Sequence, residues 1–195
     1  MSQEELFGLV FGARNPEVFC LELAHRNLTE VPPEAVRVPT LTTLNLEKNL
    51  IRGLPNEIGN LDELLNLNVS RNRLSAVPAS IGRLQNLIQL DLSYNELETI
   101  PSELGALSGL VELNLSHNRL CSIPAEFGNL RNLARLDLSF NGLTHIPAEM
   151  VKLRGLIYLN LEGNPLPYPE ELIKNCYDPG AILDYSAQEV QKLAE

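Results

Sequence analysis

A 23-residue period dominates this chain. Leu41, Leu64, Leu87, Leu110, Leu133 and Leu156 stand 23 residues apart, and Val18 continues the series one step earlier. Three positions on, Leu21, Leu44, Leu67, Leu90, Leu113, Leu136 and Leu159 keep the same spacing. Two further on come Leu23, Leu46, Val69, Leu92, Leu115, Leu138 and Leu161. Asn49, Asn72, Asn95, Asn118, Asn141 and Asn164 form the next column. An aliphatic column from Leu28 to Leu166 and a proline column from Pro32 to Pro147 complete the unit. The result is seven copies of LxxLxLxxNxL, six of them carrying an extension of the form xxIPxxIGxLxx. Agreement at so many fixed positions excludes chance and makes a repeat architecture the first reading.

Each column has a physical reason. The two leucines of LxL are two residues apart, so both point to one side of a short strand while their neighbours point to the other. One such strand cannot bury its apolar side alone. Seven stacked in parallel build a continuous core and pair their backbone groups. The Asn column falls where the chain leaves the strand. A carboxamide both donates and accepts, so it suits turn backbone groups of its own and the adjoining repeat. Proline opens the convex segment, where its fixed φ suits a helix start and its missing N–H costs nothing. Glu34, Glu57, Glu103, Glu126 and Glu149 follow two residues later, and carboxylates are favourable near helix starts. Gly59, Gly82, Gly105 and Gly128 let the backbone close each coil. In the first repeat Arg26 replaces the Asn, with Asn27 beside it, as expected of a terminal unit with one neighbour.

The pattern covers about three quarters of the chain and resembles the leucine-rich-repeat superfamily. The resemblance implies an α/β solenoid: a right-handed horseshoe with a parallel sheet on its concave face, short helices or 3-10 turns on its convex face, and a cap at each end. The 23-residue form with IPxxIGxL is similar to the Ras-group repeats of plant and animal proteins, and to those of LAP and Roco proteins. The segments Asn164-Pro165-Leu166, Pro169-Glu170-Glu171-Leu172 and Gly180-Ala181-Ile182-Leu183-Asp184-Tyr185 resemble the exit from a Roco-type array. Such relatives are intracellular and use their repeats to hold other proteins. The resemblance therefore implies a non-catalytic scaffold or adaptor in the cytoplasm, in small-GTPase- or phosphatase-related signalling. The alternative is a secreted or host-directed recognition module.

Three segments are expected: a capping helix over 1–17, seven repeats over 18–166 and a helical cap over 167–195. Ser2 and Glu5 fit a capping box, and Leu6, Phe7, Leu9, Val10 and Phe11 offer apolar cover for the first repeat. At the far end Pro169–Ile173 begins a short helix. A second is predicted from about Pro179 to Lys192, with Ala181, Ile182, Leu183 and Val190 inward. Tyr168, Tyr177 and Tyr185 are assigned to cap packing, the alternative being an amphipathic docking helix for a partner.

The formal net charge of -10 and pI of about 4.8 argue against a nucleic-acid partner, which needs Lys and Arg against phosphates, and against an anionic membrane surface. No stretch approaches the roughly 18 uninterrupted apolar residues of a membrane span, and the acidic start does not resemble a secretory signal. Cys20, Cys121 and Cys176, an odd and sparse set, read as reduced cytosolic thiols. The Asn27, Asn68 and Asn114 sequons read as by-products, two of them products of the repeat itself. The chain is expected to be a monomer without cofactor or metal.

A protein partner is placed on the inner face, on the residues pointing away from the leucines. One column runs Glu22, Asn45, Asn68, Asp91, Asn114, Asp137, Asn160 and is assigned a generically polar role. Another includes Glu112, Arg135 and Tyr158, with Glu112 and Arg135 expected to pair. A third holds Ser70, Ser93, Ser116 and Ser139. The most varied is His25, Lys48, Arg71, Tyr94, His117 and Phe140. Exposed aromatic and Arg side chains on a rigid face are typical anchors. Lys48, Arg71, Tyr94, His117 and Phe140, with Arg135, Tyr158, Asp91 and Asp137, are therefore the candidate partner-binding residues. This column suggests a ligand with acid at one end and an apolar side chain at the other.

Asp91 and Asp137 stand two strands apart, roughly 9–10 Å, which overlaps the range of paired-carboxylate hydrolysis. An open, wet strand face does little to tune a carboxyl group. His25 and His117 lie about 19 Å apart, too far for one metal. No phosphate loop or nucleophile motif is present, so no enzyme is expected.

Overall fold

Each x-Leu-x triplet, such as Thr43-Leu44-Asn45, forms a three-residue strand because its outer residues need a solvated side and its Leu a buried one. The computed structural model describes residues 19–194, with side chains through residue 188. The expected 1–17 helix, Val18 and the side chain of Val190 lie outside these residues. Among the described residues seven strands form one parallel sheet in chain order: β1 (Cys20–Glu22), β2 (Thr43–Asn45), β3 (Asn66–Asn68), β4 (Gln89–Asp91), β5 (Glu112–Asn114), β6 (Arg135–Asp137) and β7 (Tyr158–Asn160). The register matches residues 23 apart throughout, as in Leu90 against Leu113. A one-residue slip would turn every Leu outward.

The convex side is built of 3-10 segments, Asn56–Asn60, Ala79–Arg83, Ser102–Ala106, Ala125–Asn129 and Ala148–Lys152, preceded by a shorter one at Ala35–Arg37. The proline sits just before each five-residue segment, with φ between −57° and −71°. Its carbonyl accepts the first bond, as Pro101 does from the Leu104 amide at 3.1 Å. Gly59, Gly82, Gly105 and Gly128 serve close stacking, not unusual φ. A Cβ at Gly105 would lie 2.4 Å from the Glu126 carbonyl oxygen of the next repeat. Between sheet and convex wall runs one aliphatic core, with Phe127 the largest side chain fully enclosed.

The Asn column forms a buried spine. The Asn118 carboxamide donates to the carbonyls of Leu92 and Leu115, both at 3.0 Å, and accepts the Leu97 amide at 3.0 Å. Each such carbonyl is shared: Leu92 also receives Asn95, and Leu115 also receives Asn141. These groups would otherwise be orphaned where the chain leaves the sheet.

After β7 come two helices, α1 (Glu170–Lys174) and α2 (Pro179–Ala194). Ile182 and Leu183 of α2 join the core, and the Cys176 carbonyl accepts the Leu159 amide of β7 at 2.8 Å. Ser186 accepts the Tyr168 hydroxyl at 2.9 Å and donates to the Ile146 carbonyl at 3.0 Å. Tyr168 meets Tyr185 edge-on. Tyr177 does not bury itself here.

Candidate functional site

The concave sheet face carries an open groove along its length, a cavity of about 510 Å³ lined by residues from Glu22 on β1 to Tyr158 on β7. Its floor is the Asn/Asp column. Each member accepts the backbone amide two residues ahead, a local bond that turns the chain off the strand. Asp91 accepts from the Ser93 amide at 2.9 Å, Asn114 from Ser116 at 3.1 Å and Asp137 from Ser139 at 2.9 Å. The serine hydroxyls of Ser70, Ser116 and Ser139 add a second bond to the same oxygens. The Ser column is consequently buried and does not line the inner face as expected.

The Lys48–Phe140 column is also displaced from its expected place. His25, Lys48, Arg71, Tyr94, His117 and Phe140 all have φ between 52° and 58°. A left-handed residue ends the strand's alternation, so this column forms the rim of the groove, not its floor. Each amide still joins the neighbouring repeat, as Tyr94 does to the Ser116 carbonyl at 2.9 Å. The side chains of Arg71, Tyr94, His117 and Phe140 stack into one file. The Arg71 guanidinium lies 4.2 Å from the Tyr94 ring centre, Tyr94 and His117 are 4.1 Å apart, and His117 and Phe140 are 4.4 Å apart, with planes within 13°. Gly163 occupies the next corner at φ 71°; a Cβ there would lie 2.6 Å from the Phe140 ring. Tyr94 is 42% exposed and Phe140 45%. Lys48 and Arg71 both approach Glu47, at 3.9 and 3.7 Å. This partly satisfies the cations assigned to an acidic ligand end.

The second floor column differs from its expected pairing. Glu112 and Arg135 are register partners across β5 and β6 but form no ion pair. Glu112 instead accepts from Gln89 at 3.1 Å, and the Arg135 guanidinium lies 4.6 Å from the Tyr158 ring centre. Tyr177 meets Tyr158 edge-on with centres 5.3 Å apart. Burial, and then the Asp137 carboxylate, push the Tyr158 phenol above its ordinary value, so it stays a neutral donor.

A column that sequence reasoning missed forms the opposite rim: Phe19, Thr42, Leu65, Ile88, Val111, Ala134 and Ile157, each just before its strand. Its signal was available in the same 23-residue spacing. Ile157 is 62% exposed, and Phe19 and Ile88 are also exposed. The groove thus has a polar floor, an aliphatic rim and an aromatic rim. Among the described residues no group of three metal-ligating side chains converges, and no helix is long and apolar enough to cross a membrane.

Three segments, residues 20–74, 62–120 and 123–166, match the family model described as Leucine rich repeat. No match was found among curated proteins. Several solved structures are similar. One is an LRR protein of Leptospira interrogans, with 30% identity, a TM-score of 0.61, and coverage of 81% of this chain and 52% of that one. A second is the plant peptide hormone receptor RGFR1 in complex with RGF2, with 36% identity, a TM-score of 0.65, and coverage of 70% and 23%. A third is the ectodomain of the receptor kinase GASSHO1/SCHENGEN3 from Arabidopsis thaliana in complex with CASPARIAN STRIP INTEGRITY FACTOR 2, with 36% identity, a TM-score of 0.55, and coverage of 73% and 21%. The chain therefore spans about half the length of the first and less than a quarter of the other two.

Proposed function

Given that this chain belongs to the leucine-rich-repeat family, we propose that it is a non-catalytic scaffold or adaptor that binds a partner protein along its concave groove. The file of Arg71, Tyr94, His117 and Phe140 carries this reading. These side chains fill no core, and each holds a left-handed backbone that costs a non-glycine residue on the order of 1–2 kcal/mol. Exposed Tyr, Phe and Arg on a rigid support supply contact area at low entropic cost. The rim works with Arg135 and Tyr158 at one end of the floor and with Asp91 and Asp137 along it.

The reading places the protein in the cytoplasm as a monomer, in small-GTPase- or phosphatase-related signalling. Three free thiols, two of them exposed, support a reducing compartment. The 23-residue IPxxIGxL form supports the signalling context.

Panning a displayed peptide library on the full chain tests the proposal. Selected binders are expected to lose affinity for a Tyr94→Ala/Phe140→Ala variant. Unchanged affinity refutes the rim's role.

A second reading, an extracellular or host-directed recognition module, is favoured by the likeness to a plant peptide hormone receptor and to a plant receptor-kinase ectodomain, each in complex with a partner. A glycan on Asn68 or Asn114, both in the groove floor, would support it and would itself obstruct the site. Mass spectrometry of protein from its native source, with the fraction recorded, separates the two.

A further inference from the structure

We propose that the groove's occupant is a basic segment of the partner in an extended, polyproline-II-like conformation, with cationic side chains three residues apart seated on Asp91 and Asp137. This rests on the concave face being the binding site and adds the chemistry of what it holds.

Charge sets the sign of the occupant. The groove lining contains four carboxylates, Glu22, Asp91, Glu112 and Asp137, against the single guanidinium of Arg135. That guanidinium already lies over Tyr158. The rim cations Lys48 and Arg71 face Glu47. An acidic ligand would meet uncompensated carboxylates along the floor, whereas a basic one would offset them.

Preorganisation sets the points of contact. In Asp91 and Asp137 one oxygen is fixed by the strand-exit turn, through Ser93 and Ser139. Among the described residues the second oxygen of Asp91 has no partner, and that of Asp137 has only Asn160 at 3.3 Å. Asn114, on the strand between them, spends its carbonyl oxygen on Ser116 in the same way, and among the described residues its NH2 group has no partner. Asn68 does likewise on β3. The floor therefore presents donor, acceptor, donor, acceptor on β3, β4, β5 and β6, each held in place before a ligand arrives.

Spacing sets the conformation. β4 and β6 are two strands apart, about 9.6 Å. A polyproline-II segment rises about 3.1 Å per residue with three residues per turn, so it presents the same face every 9.3 Å or so. A β-strand repeats its face every 6.6–6.8 Å or so and falls out of step. Polyproline II also has no internal hydrogen bonds, so its carbonyls are free to accept from Asn114 and Asn68. Proline-rich chains dock on aromatic surfaces, and Tyr158 with the 73%-exposed Tyr177 offers one at the end of the groove.

The test is fluorescence anisotropy of the full chain with labelled peptides on one proline-rich frame. One peptide carries Arg at every third position, one carries Glu there, and one carries the same number of Arg at alternate positions. The first is expected to bind, the Glu peptide not, and the alternate-Arg peptide more weakly. Asp91→Asn with Asp137→Asn is expected to weaken the first by about tenfold and flatten its salt dependence. Asn still accepts from Ser93 and Ser139, so circular dichroism should be unchanged. Equal binding of the Glu peptide, or an unchanged affinity in the variant, overturns the proposal. If library-selected binders occupy the concave face but are acidic, neutral or helical, this inference fails and the binding site stands. If no concave substitution alters any selected binder, the binding site itself fails.

Discussion

Replacing Asn118 tests whether the buried Asn spine, and not leucine packing alone, holds the coils in register. In Asn118→Ala the Leu97 amide loses its one hydrogen-bond partner among the described residues. The Leu92 and Leu115 carbonyls each keep a donor, from Asn95 and Asn141, and the Ser116 carbonyl keeps the Tyr94 amide. One orphaned donor costs about 1–3 kcal/mol and the thinned acceptors add some tenths each, so the expected loss is about 2–4 kcal/mol. Asn118→Asp separates donor from acceptor. It can still accept from Leu97, but it sets a carboxylate against three carbonyls at a site only 9% exposed. Its folded-state pKa must therefore lie above its unfolded value. The native state then holds the proton longer, and stability falls as pH rises from the unfolded carboxylate range through the folded one. Urea denaturation at pH 4.5 and 7.5 reads this. The Ala variant should lose similar stability at both, whereas the Asp variant should lose more at pH 7.5. Hydrogen exchange at the Leu97 amide should quicken in the Ala variant. An Ala variant within 0.5 kcal/mol or so of the parent, or an Asp variant indifferent to pH, would refute the spine's role.

Gly105→Ala should destabilise by about 1–3 kcal/mol, because its Cβ would meet the Glu126 carbonyl, while Gly53→Ala, with nothing within 4 Å, should be near neutral; thermal melts compare them. Burial first, then the charge and hydrogen bond of Glu22, push the Cys20 thiol above its ordinary value. Thiolate is scarce there at neutral pH, so iodoacetamide should label Cys20 slowly at pH 8, and Glu22→Gln should speed it, as read by mass spectrometry.

The fold was legible because every repeat states the same instruction. Leu90 needs the same environment as Leu67 and Leu113, so the parallel register follows from spacing alone. The groove was harder to read, since strand alternation was extended too far. Continuing the strand face past Asp91 to the next residues that are not leucine puts Ser93, and with it Tyr94, on the inner face. The Asp91–Ser93 bond instead starts a turn, burying Ser93 and swinging Tyr94 onto the rim. Register also cannot decide between partners: Arg135 is adjacent to both Glu112 and Tyr158 in the sheet and lies over the ring. Tyr177 lies outside the period, so nothing in the repeat announced its place beside Tyr158.

Sharing of each spine carbonyl between consecutive asparagines makes the length of this molecule change in steps. An inserted stretch of 23 residues inherits both neighbours' hydrogen bonds and leaves every other coil untouched. Losing one or two residues breaks two junctions at once. Lineages built on this plan can therefore lengthen or shorten their footprint on a ligand by whole turns, each worth about 4.8 Å, without redesigning what lies beneath.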